Sequence, residues 1–117
     1  MKSNYAALAT EAMLVCALWS STDEDGEPLE GGTLDIHATA TASLAADLAD
    51  FLAANAADLA DLDPMQVGHD FWLTRNHHGA GFWDRGLGEA GDRLTAACHP
   101  YGEVWLYVGD DGWIYAA

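Results

Sequence analysis

Basic side chains are the scarcest chemical class in this chain. Its 117 residues carry four Lys and Arg against 19 Asp and Glu, a formal charge of −15. Between Lys2 and Arg75 there is no Lys or Arg at all. Such a chain repels nucleic acid and anionic membranes and is drawn to basic surfaces. No apolar run approaches the length of a membrane-spanning helix. The Met-Lys start runs into polar residues with no signal-peptide core, so a cytoplasmic location is expected. Cys16 and Cys98 stand at no metal or redox spacing and read as buried thiols. Gly79-Ala80-Gly81 lacks the following Lys and Ser or Thr of a phosphate cradle. No serine lies beside a base in a nucleophile pattern. Neither an enzyme nor a cofactor is expected.

What is abundant is apolar and aromatic: half the residues are hydrophobic, with five Trp, four Tyr and three Phe. That composition folds, and the length suits one domain spanning 1–117. A first helix is expected from Ser3 or Asn4 to about Ser20, with Tyr5, Leu8, Ala12, Val15 and Trp19 on one face, widened by Met13, Leu14 and Leu18. Residues 20–32, SSTDEDGEPLEGG, read as a solvated acidic loop reaching to about 35. Its carboxylates miss the alternating ligands and closing Glu of a calcium loop; Glu30 and Asp35 do not supply the spacing.

A second helix is expected from about Ala42 to Leu62, capped by Ser43 or Thr41, with Leu44, Leu48, Phe51, Leu52, Leu59 and Leu62 as its core face. Asp63-Pro64 is read as its terminator. Asp47, Asp50, Asp58 and Asp61 fall on one stripe about 80° wide and on the order of 20 Å long. No Lys interrupts it, although like charges at such spacing weaken a helix slightly.

The densest stretch is GHDFWLTRNHHGAGFWDRGLG, 68–88. Its two aromatic runs around Arg75-Asn76-His77-His78-Gly79 read as a hairpin, with strands near His69–Thr74 and Gly81–Trp83. Arg75 and Asp84 would then face each other, in an ion-pair network tying the hairpin to the acidic helix. Phe71, Trp72, Phe82 and Trp83 would be core and cross-strand pairs. A third helix follows from about Leu87 to Cys98, with Leu94, Ala97 and Cys98 inward and Arg93 exposed. A final hairpin, Val104–Val108 and Trp113–Tyr115, turns through Gly109-Asp110-Asp111-Gly112. The expected fold is α+β in the order α-α-β-β-α-β-β, with N-terminal helices on a small antiparallel sheet of two hairpins.

The sequence from about 48 to 115 resembles a family of small acidic proteins encoded by bacteriophages and prophages. They share a GHDFWLTRN…HGAGFWDR…YVGDDG signature. Anti-CRISPR proteins are among the small acidic proteins of phage and mobile-element origin, and several of them look like DNA to their targets. The resemblance brings no catalytic residues. It implies a non-enzymatic inhibitor that evades host defence. As a DNA mimic it would occupy the basic DNA-binding surface of a type I CRISPR surveillance complex, which holds target DNA by its backbone. The expected contact residues are Asp47, Asp50, Asp58 and Asp61, assisted by Asp23, Glu24, Asp25 and Glu27. Two alternatives stand beside it. One is an antirestriction or other protein-binding module that uses the 76–79 hairpin loop. The other is a small metal-dependent hydrolase built on His69, His77, His78 and Asp84, with His99 as a further ligand. Strand geometry would point His69 and Asp70 to opposite faces.

Overall fold

Asp63-Pro64 begins a helix rather than ending one. In the computed structural model, which describes residues 4–23, 25–29 and 31–117, helix α4 runs Pro64–Arg75. Asp63 Oδ2 accepts the Gln66 amide at 3.1 Å, and Pro64 fills a first-turn position whose N–H would have no helical partner. The stretch expected as the first strand, His69–Thr74, is therefore the body of a helix. Its β-favouring aromatics are outweighed by burial, since every residue from Asp70 to Arg75 is buried. The expected partner strand is a 3-10 turn, Phe82–Asp84. The first hairpin is thus a helix, a loop and a turn.

Helix α1, Tyr5–Ser20, forms the largest interface of the fold with α4. The crossing is close because Gly68 has no side chain: a Cβ there would lie 1.9 Å from the carbonyl oxygen of Ala9. This close approach shifts the inward face of α1: Tyr5, Met13, Leu14 and Leu18 lie inward as expected, and Leu8, Val15 and Trp19 do not. Tyr5, Ala9, Met13, Leu14, Cys16, Ala17 and Leu18 are buried, while Leu8, Val15 and Trp19 are exposed. Gly68 and the small Ala9 let the two backbones approach at the crossing. Asn4 precedes the helix without a side-chain cap, and Ser3 lies outside the described residues, as does Glu24 of the acidic loop.

The expected second helix is two. Helix α2 runs Ala38–Ala54 and α3 runs Ala56–Leu59. His37, rather than Ser43 or Thr41, caps α2, its Nδ1 accepting the Thr39 amide at 3.2 Å. Asp47 consequently sits in mid-helix. The break falls at Asn55, whose side-chain amide donates back to the Phe51 carbonyl at 2.9 Å, a local bond that competes with helix continuation. The core face of α2 and α3 is as expected: Leu44, Leu48, Phe51, Leu52 and Leu59 are buried. Phe51 stacks on Phe82, lies tilted against Phe71 and meets Tyr101 edge to face.

Helix α5, Glu89–Cys98, buries Leu94 and Cys98. The chain ends in an antiparallel ribbon of β1, Leu106–Val108, and β2, Ile114–Ala116, with Leu106 opposite Ala116 and Val108 opposite Ile114. Gly112 holds the positive φ, +87°, that the turn needs. The ribbon buries Leu106 and Ile114. On its other edge the His37 amide donates to the Ile114 carbonyl at 2.7 Å. The fold is α+β: mostly helical, with one small antiparallel sheet. No described helix is long and apolar enough to cross a membrane.

Candidate functional site: the aspartate stripe and its arginines

Arg75 is the hub of the region. It closes the last turn of α4 with 1% of its surface exposed. Its Nη1 donates to Asp47 Oδ2 at 3.0 Å, its Nη2 to the Tyr101 carbonyl at 2.8 Å and its Nε to the Gly102 carbonyl at 2.9 Å. The guanidinium carbon lies 5.5 Å from the Phe71 ring centre and 5.9 Å from that of Tyr101. A buried cation is tolerable only when its donors are used, and here three donors and two ring faces engage it. Arg75 pairs with Asp47, not with Asp84 as a hairpin would require.

The stripe is drawn inward at three of its four positions. Asp47 holds Arg75. Asp50 Oδ2 accepts the Tyr101 hydroxyl at 2.6 Å. Asp58 takes a two-pronged contact from Arg93, 2.9 Å to Nε and 2.7 Å to Nη2, the geometry that best matches a guanidinium to a carboxylate. That bond holds the Asp58 carboxyl below the ordinary aspartate range and raises Arg93. Burial, then the Asp50 contact, pushes the Tyr101 phenol up. Asp50 and Asp61 are both exposed, and Asp61, beyond the end of α3, is the one stripe carboxylate with no side-chain partner among the described residues. The stripe therefore fastens the α2–α3 arm to α4, α5 and the Tyr101–Gly102 turn, with two guanidiniums offsetting two of its carboxylates. The ion-pair network expected of the arginines exists, with different partners.

The third arginine is also committed. Asp70, 1% exposed, receives Arg85 Nη2 at 2.8 Å and Arg85 Nε at 3.1 Å to both oxygens, and the Gln66 side-chain Nε2 at 3.0 Å. The contact raises the Arg85 pKa. Asp84 lies 3.9 Å from Arg85.

The acidic loop folds on itself. Asp23 Oδ1 accepts the amides of Asp25 and Glu27 at 2.9 and 3.0 Å, and Thr22 and Pro28 form an antiparallel bridge. Asp23, Asp25 and Glu27 are exposed. The loop at 76–79 follows a helix rather than topping a hairpin. His77, at φ +55°, stacks on His99 with ring centres 4.6 Å apart and lies 3.9 Å from Glu103.

The residues of the hydrolase reading do not converge. Among the described residues no group of three or more His, Cys, Asp or Glu is placed to hold a metal ion. His69 and Asp70 are successive helix positions, not strand positions. His69 stacks on Trp19 at 5.6 Å, and Asp70 is taken by Arg85. Cys16 and Cys98 are buried and free, with burial pushing each thiol up to about 12.

Two features of the fold were not expected from the sequence. Asn55 breaks the acidic helix, and a lone Asn in an Ala-rich run hints at that. The outer face of the terminal ribbon is aromatic: Trp105, Tyr107 and Trp113 are exposed, and Tyr115 stacks on Tyr107 and His37. Alternation within 104–108 and 113–115 makes that face readable. Comparison of the chain with protein-family models, with curated proteins and with solved structures found no match.

Proposed function

We propose that this protein is a non-enzymatic acidic inhibitor that occupies the basic, DNA-binding surface of a host defence complex, a type I CRISPR surveillance complex being the leading target. The observation that carries the reading is where the positive charge goes. Arg75, Arg85 and Arg93 are each bound to a carboxylate of the same chain. Apart from Asp84, 3.9 Å from Arg85, the other carboxylates among the described residues have no arginine to offset them. A surface of one sign steers and holds a basic partner, and salt weakens it. The molecule is 43 Å long, about one and a quarter turns of duplex at roughly 34 Å per turn. The rigid fastening of Asp47, Asp50 and Asp58 supports the same reading, because carboxylates standing in for phosphates must not relax away from the partner. Within this proposal Asp61, Asp25 and Glu27 present unshared charge, Asp23 presents the oxygen that its two loop amides leave free, and Glu24 belongs to the same loop. Asp47, Asp50 and Asp58 meet the partner only with the edges their internal bonds leave free.

The test follows from that division. A variant with Asp61, Asp23 and Asp25 changed to Asn and Glu27 to Gln keeps every arginine paired. It should retain its melting temperature and lose inhibition of target-DNA binding by a purified surveillance complex. Full inhibition by this folded variant would remove the exposed carboxylates from the mechanism.

A further inference from the structure

The terminal ribbon and the acidic loop leave two strand edges facing one cleft. Trp105 and Ala117 exchange backbone bonds of 3.1 and 2.9 Å, and the Gly109 amide donates to the Trp113 carbonyl at 2.8 Å. In an antiparallel pair, residues between such bonded positions turn their peptide groups the other way. The N–H and C=O of Leu106 and Val108 therefore point away from β2. The loop repeats the pattern. The Asp23 amide donates to the Glu27 carbonyl at 2.8 Å, and the Leu29 amide to the Ser21 carbonyl at 3.3 Å, so the peptide groups of Thr22 point away from Pro28. Among the described residues none of these outward groups has a hydrogen-bond partner.

Both edges line the same cleft. One part, about 390 Å³, lies between Ser20–Thr22 and Glu103–Leu106. The next, about 650 Å³, lies between Thr22, Asp23 and Asp25 on one side and Trp105–Val108 on the other. Val108 is 51% exposed and opens the cleft, whereas Leu106, at 2%, forms its floor. The peptide groups of buried Leu106 cost free energy if left unpaired, and an unpaired edge is a template for another strand. Asp23, Asp25 and Glu103 line the cleft, and among the described residues no Lys or Arg does.

We propose that this cleft takes an extended, Lys- or Arg-bearing segment of a partner protein as an added strand, paired to β1 on one side and to Thr22 on the other. Backbone bonds supply the pairing, and pockets for alternate side chains supply the choice. Trp105 and Tyr107, exposed on the rim, cover the aliphatic stems of the basic side chains. Asp23, Asp25 and Glu103 meet their charged ends. A second copy of this chain fits poorly, because it brings a further charge of −15 to an already acidic cleft. The inference does not rest on DNA mimicry. Peptide binding and inhibition of DNA binding are separate measurements, and either can fail alone.

The probe is a set of labelled ten-residue peptides alternating Lys or Arg with Val, Thr or Ile. The controls are the same peptides N-methylated at alternate residues, which keep the charge and lose the donors. One-to-one binding by members of the set is expected. N-methylation should weaken it by about tenfold or more, and so should Val108→Pro, which deletes one outward donor and leaves the β1–β2 ladder whole. Thr22→Pro tests the opposite edge, where the preceding Ser21 is already extended, φ −103° and ψ 149°, as a residue before proline must be. Both variants should melt like the parent, and the Val108 amide of the parent should exchange more slowly with peptide bound. No binding by any peptide overturns the proposal. So does binding that survives both proline changes or N-methylation, since charge alone would then explain it. Parent self-association that Val108→Pro abolishes would make a second copy the occupant and would also overturn it.

Discussion

Asp47→Asn separates a stripe that fastens the fold from a stripe that is merely displayed. The substitution keeps the size of the side chain and one acceptor oxygen but removes the charge opposite Arg75. That guanidinium is 1% exposed and cannot turn to water. Stranding a fully buried ion costs about 3–5 kcal/mol. The Asp47 side chain is 36% exposed, and the Tyr101 and Gly102 carbonyls remain, so about 2 kcal/mol is the expected loss. Unfolding a chain of 117 residues carries an entropy of about 250 cal/mol/K, so that loss lowers Tm by about 8 °C. Asp61→Asn, on an exposed side chain with no bond to lose, should shift Tm by less than about 2 °C. The assay is thermal unfolding followed by circular dichroism at matched pH and salt, completed by Arg75→Met and the double variant. In the Arg75→Met background Asp47→Asn should cost less than about 0.5 kcal/mol, because the stranded charge is gone. An Asp47→Asn protein melting within about 2 °C of the parent, or a cycle with no coupling, would refute the assignment of Arg75 and Asp47 as a buried strut.

Three further outcomes can be checked on the purified protein. Gly68→Ala should destabilise by about 3 kcal/mol despite the better helix propensity of Ala, because the new methyl meets the Ala9 carbonyl and must part α1 from α4; urea unfolding measures it. Asp58 and Asp111 both titrate below the ordinary aspartate range, Asp58 through Arg93 and Asp111 through the Tyr115 hydroxyl and then the Trp113 amide. A lowered folded pKa contributes stability present above the unfolded value and lost as pH falls through the folded one. The urea midpoint should therefore fall below about pH 4 and, for these groups, stay level above pH 5. Cys16 and Cys98, with thiols near 12, should resist a thiol reagent at pH 8 in the folded chain and react at once in denaturant.

The parts of the fold that could be read early are those set by local chemistry. Asp-Gly between aromatic runs placed the last hairpin, and leucine spacing placed the inward face of α2. The reading failed where tertiary contact overrode local preference. Phe71-Trp72-Leu73-Thr74 favours strand, but Asp63 caps, Pro64 starts and Gly68 admits Ala9, so the segment is a buried helix. Asp63-Pro64 fits both an ending and a beginning, and the choice depends on what the following residues pack against. The aspartates were legible as one stripe because helix periodicity is local. Their partners were not, since Arg75 and Arg93 lie 28 and 35 residues away along the chain and only folding brings them together. The strand-edge cleft was beyond reach for the same reason. It is made by two ribbons whose bonding registers become visible only once they are paired.

In the proposed function, the charge left uncompensated at the surface competes with DNA for a basic groove. The most direct measurement is capture of a purified type I surveillance complex by this protein, at low and high salt, with and without target duplex. Capture is expected at low salt, weakening steeply as salt rises and disappearing when target DNA is added first. Absence of capture at low salt, or capture that target DNA leaves untouched, would contradict it.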